Sequence, residues 1–87
     1  MASSAPILEL RGLCQMHEAP LIIAGDICDT WRLPPEATNW LIAELRGFVY
    51  GVYAVPGQHD LPAQRYEDIR RSSYWTLVEA GVLNNLE

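Results

Sequence analysis

The sequence predicts an α/β fold with parallel strands, in the element order α-β-α-β-α. Two short apolar runs, residues 21–24 and 49–55, are rich in β-branched residues or tyrosine and predict strands. Each run ends in a glycine turn that carries polar side chains, and a segment with helical spacing separates the two runs. Strands that alternate with helices favour a parallel sheet with right-handed crossovers.

Three helices are predicted around these strands, over residues 6–18, 34–47 and 63–79. Pro20 ends the first helix, because a proline biases the preceding residue away from helical geometry. Gly47 and Gly81 are typical of positions just past a helix. The run Leu21–Ala24 is continuously apolar, which indicates a strand buried on both faces, and residues 82–83 can begin a further strand.

The chain of 87 residues is one small domain at most. Two strands leave both sheet edges unpaired, whereas a sheet usually has about four to six strands. We therefore expect residues 1–87 to form a single, incomplete domain, a fragment or truncated form of a larger fold. A second copy or a partner subunit can cover such open edges.

Composition narrows the setting of the domain. The net charge of −5 disfavours polyphosphate partners, so binding of nucleic acid would need metal ions or further protein to supply the attraction. No apolar run approaches the roughly 20 residues of a membrane span, and the first residues lack the pattern of a secretory signal. Cys14 and Cys28 are not spaced as a metal or disulfide motif, so we expect reduced thiols and a cytoplasmic location.

The first polar turn contains Asp26 and Asp29, directly after a predicted strand. Carboxylates at this position suit a hard divalent cation such as Mg²⁺ or Mn²⁺. One carboxylate can bridge two cations about 3.5–4 Å apart, an arrangement that serves phosphoryl transfer. The alternative is that these acids only cap a turn through local hydrogen bonds.

The second polar turn contains Gln58, His59 and Asp60. A loop histidine can act as a general acid or stabilise charge on a phosphoryl oxygen, and Asp60 can orient it. The alternative is a surface loop in which Asp60 caps the following helix. Neighbouring parallel strands present their carboxyl ends to one crevice, so the two turns together favour a site.

The pair of motifs, Gly25-Asp26-Ile27-Cys28-Asp29 and Gly57-Gln58-His59-Asp60, resembles the GDxxD and GNH[DE] motifs of the calcineurin-like metallophosphoesterases. Within that superfamily it is most similar to the DNA-repair exonuclease subunit branch and its phage relatives. The resemblance covers about residues 21–60. It implies an αββα sandwich that uses two divalent metal ions, Mn²⁺ or a similar ion, to hydrolyse a phosphodiester or phosphomonoester, with nucleic acid as one candidate substrate.

The resemblance also implies a role for each motif residue. Asp26 matches the aspartate that bridges the two metals, and Gln58 stands where the family has a metal-binding asparagine. His59 matches the histidine that contacts the scissile phosphate and protonates the leaving group. Asp29 and Asp60 match supporting positions that orient their neighbours.

The chain departs from the family pattern in several places. Gln58 is one methylene longer than asparagine, and Thr30 stands where many members have arginine, with Arg32 two positions further on. The family's Asp-x-His and Gly-His-x-His motifs are absent, because His17 and His59 are the only histidines. Most metal ligands of the family are therefore missing from the sequence. A second hypothesis follows, a non-catalytic α/β module that acts through self-association or a partner protein.

Residues outside the motifs receive simpler interpretations. Cys28 is expected to fill the first loop, and Trp31 in the same loop can form a wall for a substrate. Arg65, Arg70 and Arg71 are expected to form a solvated face of the third helix, with a phosphate-binding stripe as the alternative.

Overall fold

The computed structural model describes residues 5–25, 27–28 and 30–86, and it shows an α/β fold. The helices are α1 (Ala5–His17), α2 (Pro35–Arg46) and α3 (Ser73–Glu79), and the strands are β1 (Leu21–Ala24), β2 (Val52–Val55) and β3 (Asn84–Asn85). Three short 3-10 segments connect β2 to α3, at Gln58–Asp60, Pro62–Gln64 and Tyr66–Arg71. Within the described ranges no helix is long and apolar enough to cross a membrane.

The three strands form one parallel sheet in the order β1-β2-β3. The expected further strand is present, and it begins at Asn84, just after the buried pair Val82 and Leu83. The sheet therefore has the further strand that the sequence allows, two residues later than expected. All three strands point the same way, so their carboxyl ends lie at one edge of the sheet, which we call the carboxyl edge.

The second strand is shorter than the sequence predicts. Residues 49–50 form a turn, and β2 begins only at Val52. Gly51 has a φ of +91°, a conformation that side chains rarely adopt, and its N–H donates to the Phe48 carbonyl over 3.0 Å. The predicted strand is too long because Val49 and Tyr50 have a high β propensity. Propensity takes no account of the left-handed glycine that follows them.

The prediction that residues 63–79 form one helix is wrong. Two extended residues, Arg65 and Ser72, interrupt the segment, and only its last part, α3, is α-helical. The Ser72 hydroxyl accepts a hydrogen bond from the Trp75 N–H over 3.1 Å, so Ser72 is the N-cap of a new helix. The apolar spacing continues across this cap, which explains why periodicity alone joined the pieces. The first two helices agree with their predicted ranges to within a residue or so.

The prediction that β1 is buried on both faces is also wrong. Leu21 and Ile23 pack against the core, but Ile22 is 66% exposed. The same alternation occurs in β2, where Val52 and Ala54 are buried but Tyr53 and Val55 are only half-buried. One face of the sheet therefore packs on a core shared with α2 and α3, whereas the opposite face, at the edge strand β1, is open.

The buried tyrosine of α3 anchors this helix to the sheet. Tyr74 is completely buried, and its hydroxyl lies 3.1 Å from the Ala54 carbonyl and 2.8 Å from Asn85 Oδ1. The single hydroxyl proton serves one of these acceptors at a time. Because Ala54 belongs to β2 and Asn85 to β3, this contact fixes the start of α3 over the two strands.

Candidate functional site

Two loops meet at the carboxyl edge of the sheet: the one that follows Ala24, which we call the β1 loop, and the one that follows Val55, which we call the β2 loop. Ala24 pairs with Val55 as the last residue of each strand, so both loops leave the sheet at the same height. A Cβ atom on Gly25 would lie 3.5 Å from Gly57 Cα, and the φ of Gly25 is +90°. The positive φ favours glycine for the turn, and the distance, an ordinary van der Waals contact, shows that the two loop backbones lie side by side.

The side chain that joins the two loops is Asp60. It is completely buried. Its Oδ1 accepts a hydrogen bond from the Cys28 N–H over 2.8 Å, and its Oδ2 accepts from the N–H groups of Ile27 (3.2 Å) and Gly57 (2.8 Å). Burying a carboxylate is costly unless strong donors satisfy it, and three backbone donors do so here. We call this arrangement the Asp60 link.

The local sequence places Asp60 in this position. Gln58–Asp60 is a single 3-10 turn, which the Asp60 N–H closes on the Gly57 carbonyl over 3.0 Å. The turn directs the third residue back towards the sheet edge, where the β1 loop passes. The alternative in which Asp60 caps the following helix from a surface loop does not match this geometry, because the side chain is buried and caps its own turn as well as the neighbouring loop.

Gln58 and His59 occupy the first two positions of the same turn, and both are exposed. The turn presents them at the carboxyl edge, where sequence analysis expected a metal ligand and a phosphate-contacting residue. Asp26 and Asp29 lie outside the described residues. Their neighbours in the β1 loop, Ile27 and Cys28, are the residues whose N–H groups Asp60 binds.

The described donors do not fit the two divalent cations that the family resemblance implies. The part of the chain that the structure describes contains no group of three or more His, Cys, Asp or Glu residues able to hold a metal ion. Asp60 directs both carboxylate oxygens at backbone donors, which leaves the Gln58 amide oxygen and the His59 imidazole. Two such ligands do not hold two cations, so we derive no chemical step through a metal.

Trp31 joins the β1 loop to α3, and its expected role as a wall for a substrate stays a prediction. Its carbonyl accepts the Ser73 N–H over 2.7 Å, and the Leu33 N–H donates to Ser73 Oγ over 2.7 Å. The Arg71 guanidinium lies over the Trp31 ring, 5.8 Å from its centroid. Cys28 is 2% exposed, in agreement with its expected role as a loop filler, and no disulfide joins it to Cys14 although the structure describes both.

No motif in the sequence indicates the cavity of about 290 Å³ that lies beside this contact and is lined in part by Arg32, Arg71 and Ser73. Arg71 was grouped with Arg65 and Arg70 as one helix face, but the break at Ser72 separates all three from α3. The Ser72-Ser73 pair could have indicated this break, because serine is a preferred N-cap and marks a new helix start. The break places Arg71 beside the start of α3, where the cavity lies.

We predict that Asp60→Ala lowers the free energy of unfolding by about 3 kcal/mol or more, because buried N–H groups lose a charged acceptor. The matched control is Asp68→Ala. Asp68 lies 3.5 Å from Arg65 in a partly exposed ion pair, and such pairs contribute about 0–1 kcal/mol. Urea unfolding followed by circular dichroism measures both variants, and equal losses in the two would contradict the Asp60 link.

Comparison with family models, with curated proteins and with solved structures finds no match. The resemblance to the metallophosphoesterases therefore stays a prediction from the two motifs. What the structure adds is that the two motif-bearing loops lie side by side and share the carboxylate of Asp60.

Proposed function

We propose that this chain contributes part of the site of a metallophosphoesterase-type hydrolase that acts on a phosphodiester or phosphomonoester. The observation that carries the proposal is the Asp60 link. One buried carboxylate holds the loop after β1 and the loop after β2 together at the carboxyl edge. Ligand sites of parallel α/β folds lie at this edge, where loops from neighbouring strands meet.

Each motif residue has a part in this proposal. His59, exposed on the turn that Asp60 closes, contacts a phosphoryl oxygen or protonates the leaving group. Gln58 would hold one divalent ion, Mn²⁺ or Mg²⁺, and Asp26 would hold this ion together with a second one. Asp29 orients its neighbours. Because the described donors are too few for two cations, the site needs ligands in addition to Gln58 and His59.

The open sheet face supports the proposed αββα sandwich as the complete architecture. In a sandwich the second sheet covers the face that the helices leave free. Here Ile22 is largely exposed on that face, and Tyr53 beside it is half-buried. A strand run as apolar as Leu21–Ala24 is typical of a sheet covered on both faces.

The same exposure favours a second candidate, a non-catalytic module that associates with itself or with a partner protein. Besides Ile22, α1 exposes leucine and methionine side chains at Leu8, Leu13 and Met16. A helix that is apolar on several sides is typical of a buried element. In this candidate a protein surface covers the open face and the polar turns only maintain the fold.

The catalytic proposal is tested with the two histidines. We predict that, in the complete hydrolase to which this chain contributes, His59→Ala lowers Mn²⁺-dependent hydrolysis of bis-p-nitrophenyl phosphate by about 100-fold, the lower end of the usual contribution of a general acid. His17→Ala is the matched control, because His17 is exposed at the end of α1, before β1 enters the sheet. Wild-type protein that binds no Mn²⁺ at millimolar concentration in calorimetry would contradict autonomous catalysis, and equal activities of the two variants would contradict the role of His59.

The association candidate predicts that Ile22→Ser abolishes self-association, since a polar side chain on the open face removes apolar contact area. Val49→Ser is the matched control, because Val49 is 71% exposed in the turn before β2. Sedimentation velocity over a range of concentrations measures both variants. A wild-type chain that stays monomeric throughout, or equal loss of association in both variants, would contradict association through this face.

A further inference from the structure

The cavity of about 290 Å³ lies between the β1 loop, the first turn of α2 and the start of α3. Helices that follow parallel strands begin at the carboxyl edge, so the cavity opens at the same end of the sheet as the Asp60 link. Its volume is near the lower end of ligand pockets, about 300 Å³. Polar and charged residues form much of the lining, among them Arg32, Arg71, Asn39, Thr38 and Thr76.

The charge of this lining differs from that of the chain. The whole sequence carries −5, and its six basic residues are all arginines. Two of them, Arg32 and Arg71, line the cavity, and the described lining includes no acidic residue. Two of the other four arginines form ion pairs: Arg11 lies 3.0 Å from Glu44, and Arg65 lies 3.1 Å from Glu67. The described lining of the cavity therefore carries positive charge in a chain that is acidic as a whole.

The cavity wall is positioned by specific contacts. The two hydrogen bonds of 2.7 Å between the β1 loop and Ser73 fix the loop to α3, and Trp31 in that loop supports the Arg71 guanidinium. Such a contact with an aromatic ring face holds an arginine while its N–H groups remain directed outward. Arg32, which follows Trp31 in the β1 loop, supplies a second guanidinium to the lining.

The remaining polar lining is compatible with an oxyanion. Asn39 contributes an amide to the lining, and the hydroxyls of Thr38 and Thr76 donate long hydrogen bonds, 3.3 and 3.4 Å, to backbone carbonyls. Guanidinium groups match phosphate because their planar forks donate two parallel hydrogen bonds. We propose that this cavity binds the phosphate group of an ester through Arg32 and Arg71. This binding requires neither a metal nor hydrolysis, so it stands apart from the proposed function.

The test is a titration of the 87-residue protein with inorganic phosphate in the presence of EDTA, followed by NMR of the arginine Nε–H groups. We expect saturable shifts for Arg32 and Arg71, with binding weakened about tenfold by Arg71→Gln or by Arg32→Gln. Arg70→Gln is the matched control, because Arg70 lies over Trp75, 5.5 Å from its ring centroid, and does not line the cavity. Sodium chloride at matched ionic strength controls for screening, and circular dichroism confirms that each variant is folded.

Two further titrations identify the source of the phosphate. If a phosphomonoester such as phenyl phosphate competes with inorganic phosphate, and an oligothymidylate without terminal phosphates does not, the cavity binds small esters. Competition by the oligothymidylate that depends on Arg71 assigns it to a nucleic acid backbone. Absence of saturable binding, or unchanged affinity in both arginine variants, overturns the proposal. Because EDTA removes divalent ions, this binding is measured independently of the Mn²⁺-dependent catalytic test.

Discussion

The hydrogen bonds that Asp60 accepts are the interaction on which the carboxyl edge depends. Without them the N–H groups of Ile27, Cys28 and Gly57 would lose the carboxylate that joins the two loops. A hydrogen bond to a charged group contributes about 1.5–3 kcal/mol. A domain of 87 residues has a total stability of about 4–13 kcal/mol. One side chain therefore accounts for a large fraction of the stability and for the geometry of the candidate site.

The rest of the fold makes this contact possible. Parallel pairing of Leu21–Ala24 with Val52–Val55 places the two strand ends side by side, and the turn at Gly25, with its positive φ, leads the β1 loop past Gly57. Tyr74 fixes α3 over the middle and last strands, and Ser73 then holds the β1 loop from the other side. The β1 loop is thus bound to the β2 loop through Asp60 and to α3 through Ser73. The candidate site and the arginine-lined cavity share this one loop.

Local sequence signals predicted the elements that depend on local chemistry. The first strand and the first two helices follow from prolines, glycines and apolar spacing, and the structure has them within a residue or so of the predicted ranges. The prediction of one long third helix is wrong because the apolar periodicity extends across Ser72, where a capping hydroxyl starts a new helix. The prediction that β1 is buried on both faces is wrong because the burial of the second face depends on what covers it, which the strand's own residues do not determine.

The candidate site was predictable only in part, for a similar reason. The positions of two polar turns after two strands are local features, so Gln58, His59 and Asp60 could be placed at the carboxyl edge in advance. The burial of Asp60 and its bonds to Ile27 and Cys28 span more than thirty residues of sequence and depend on the register of the strands. The cavity arginines come together through the contact of Trp31 with Arg71, which no spacing rule indicates.

Native-state hydrogen exchange, read at individual amides by NMR, tests the Asp60 link most directly. We predict that the N–H groups of Ile27, Cys28 and Gly57 are protected although they lie in loops, and that they open together with similar free energies. The Asp60→Asn variant, which lacks the second carboxylate oxygen, should lower the protection of all three. Exchange of the Ile27 and Cys28 amides at the rate of an unstructured loop in the wild-type protein would contradict the Asp60 link.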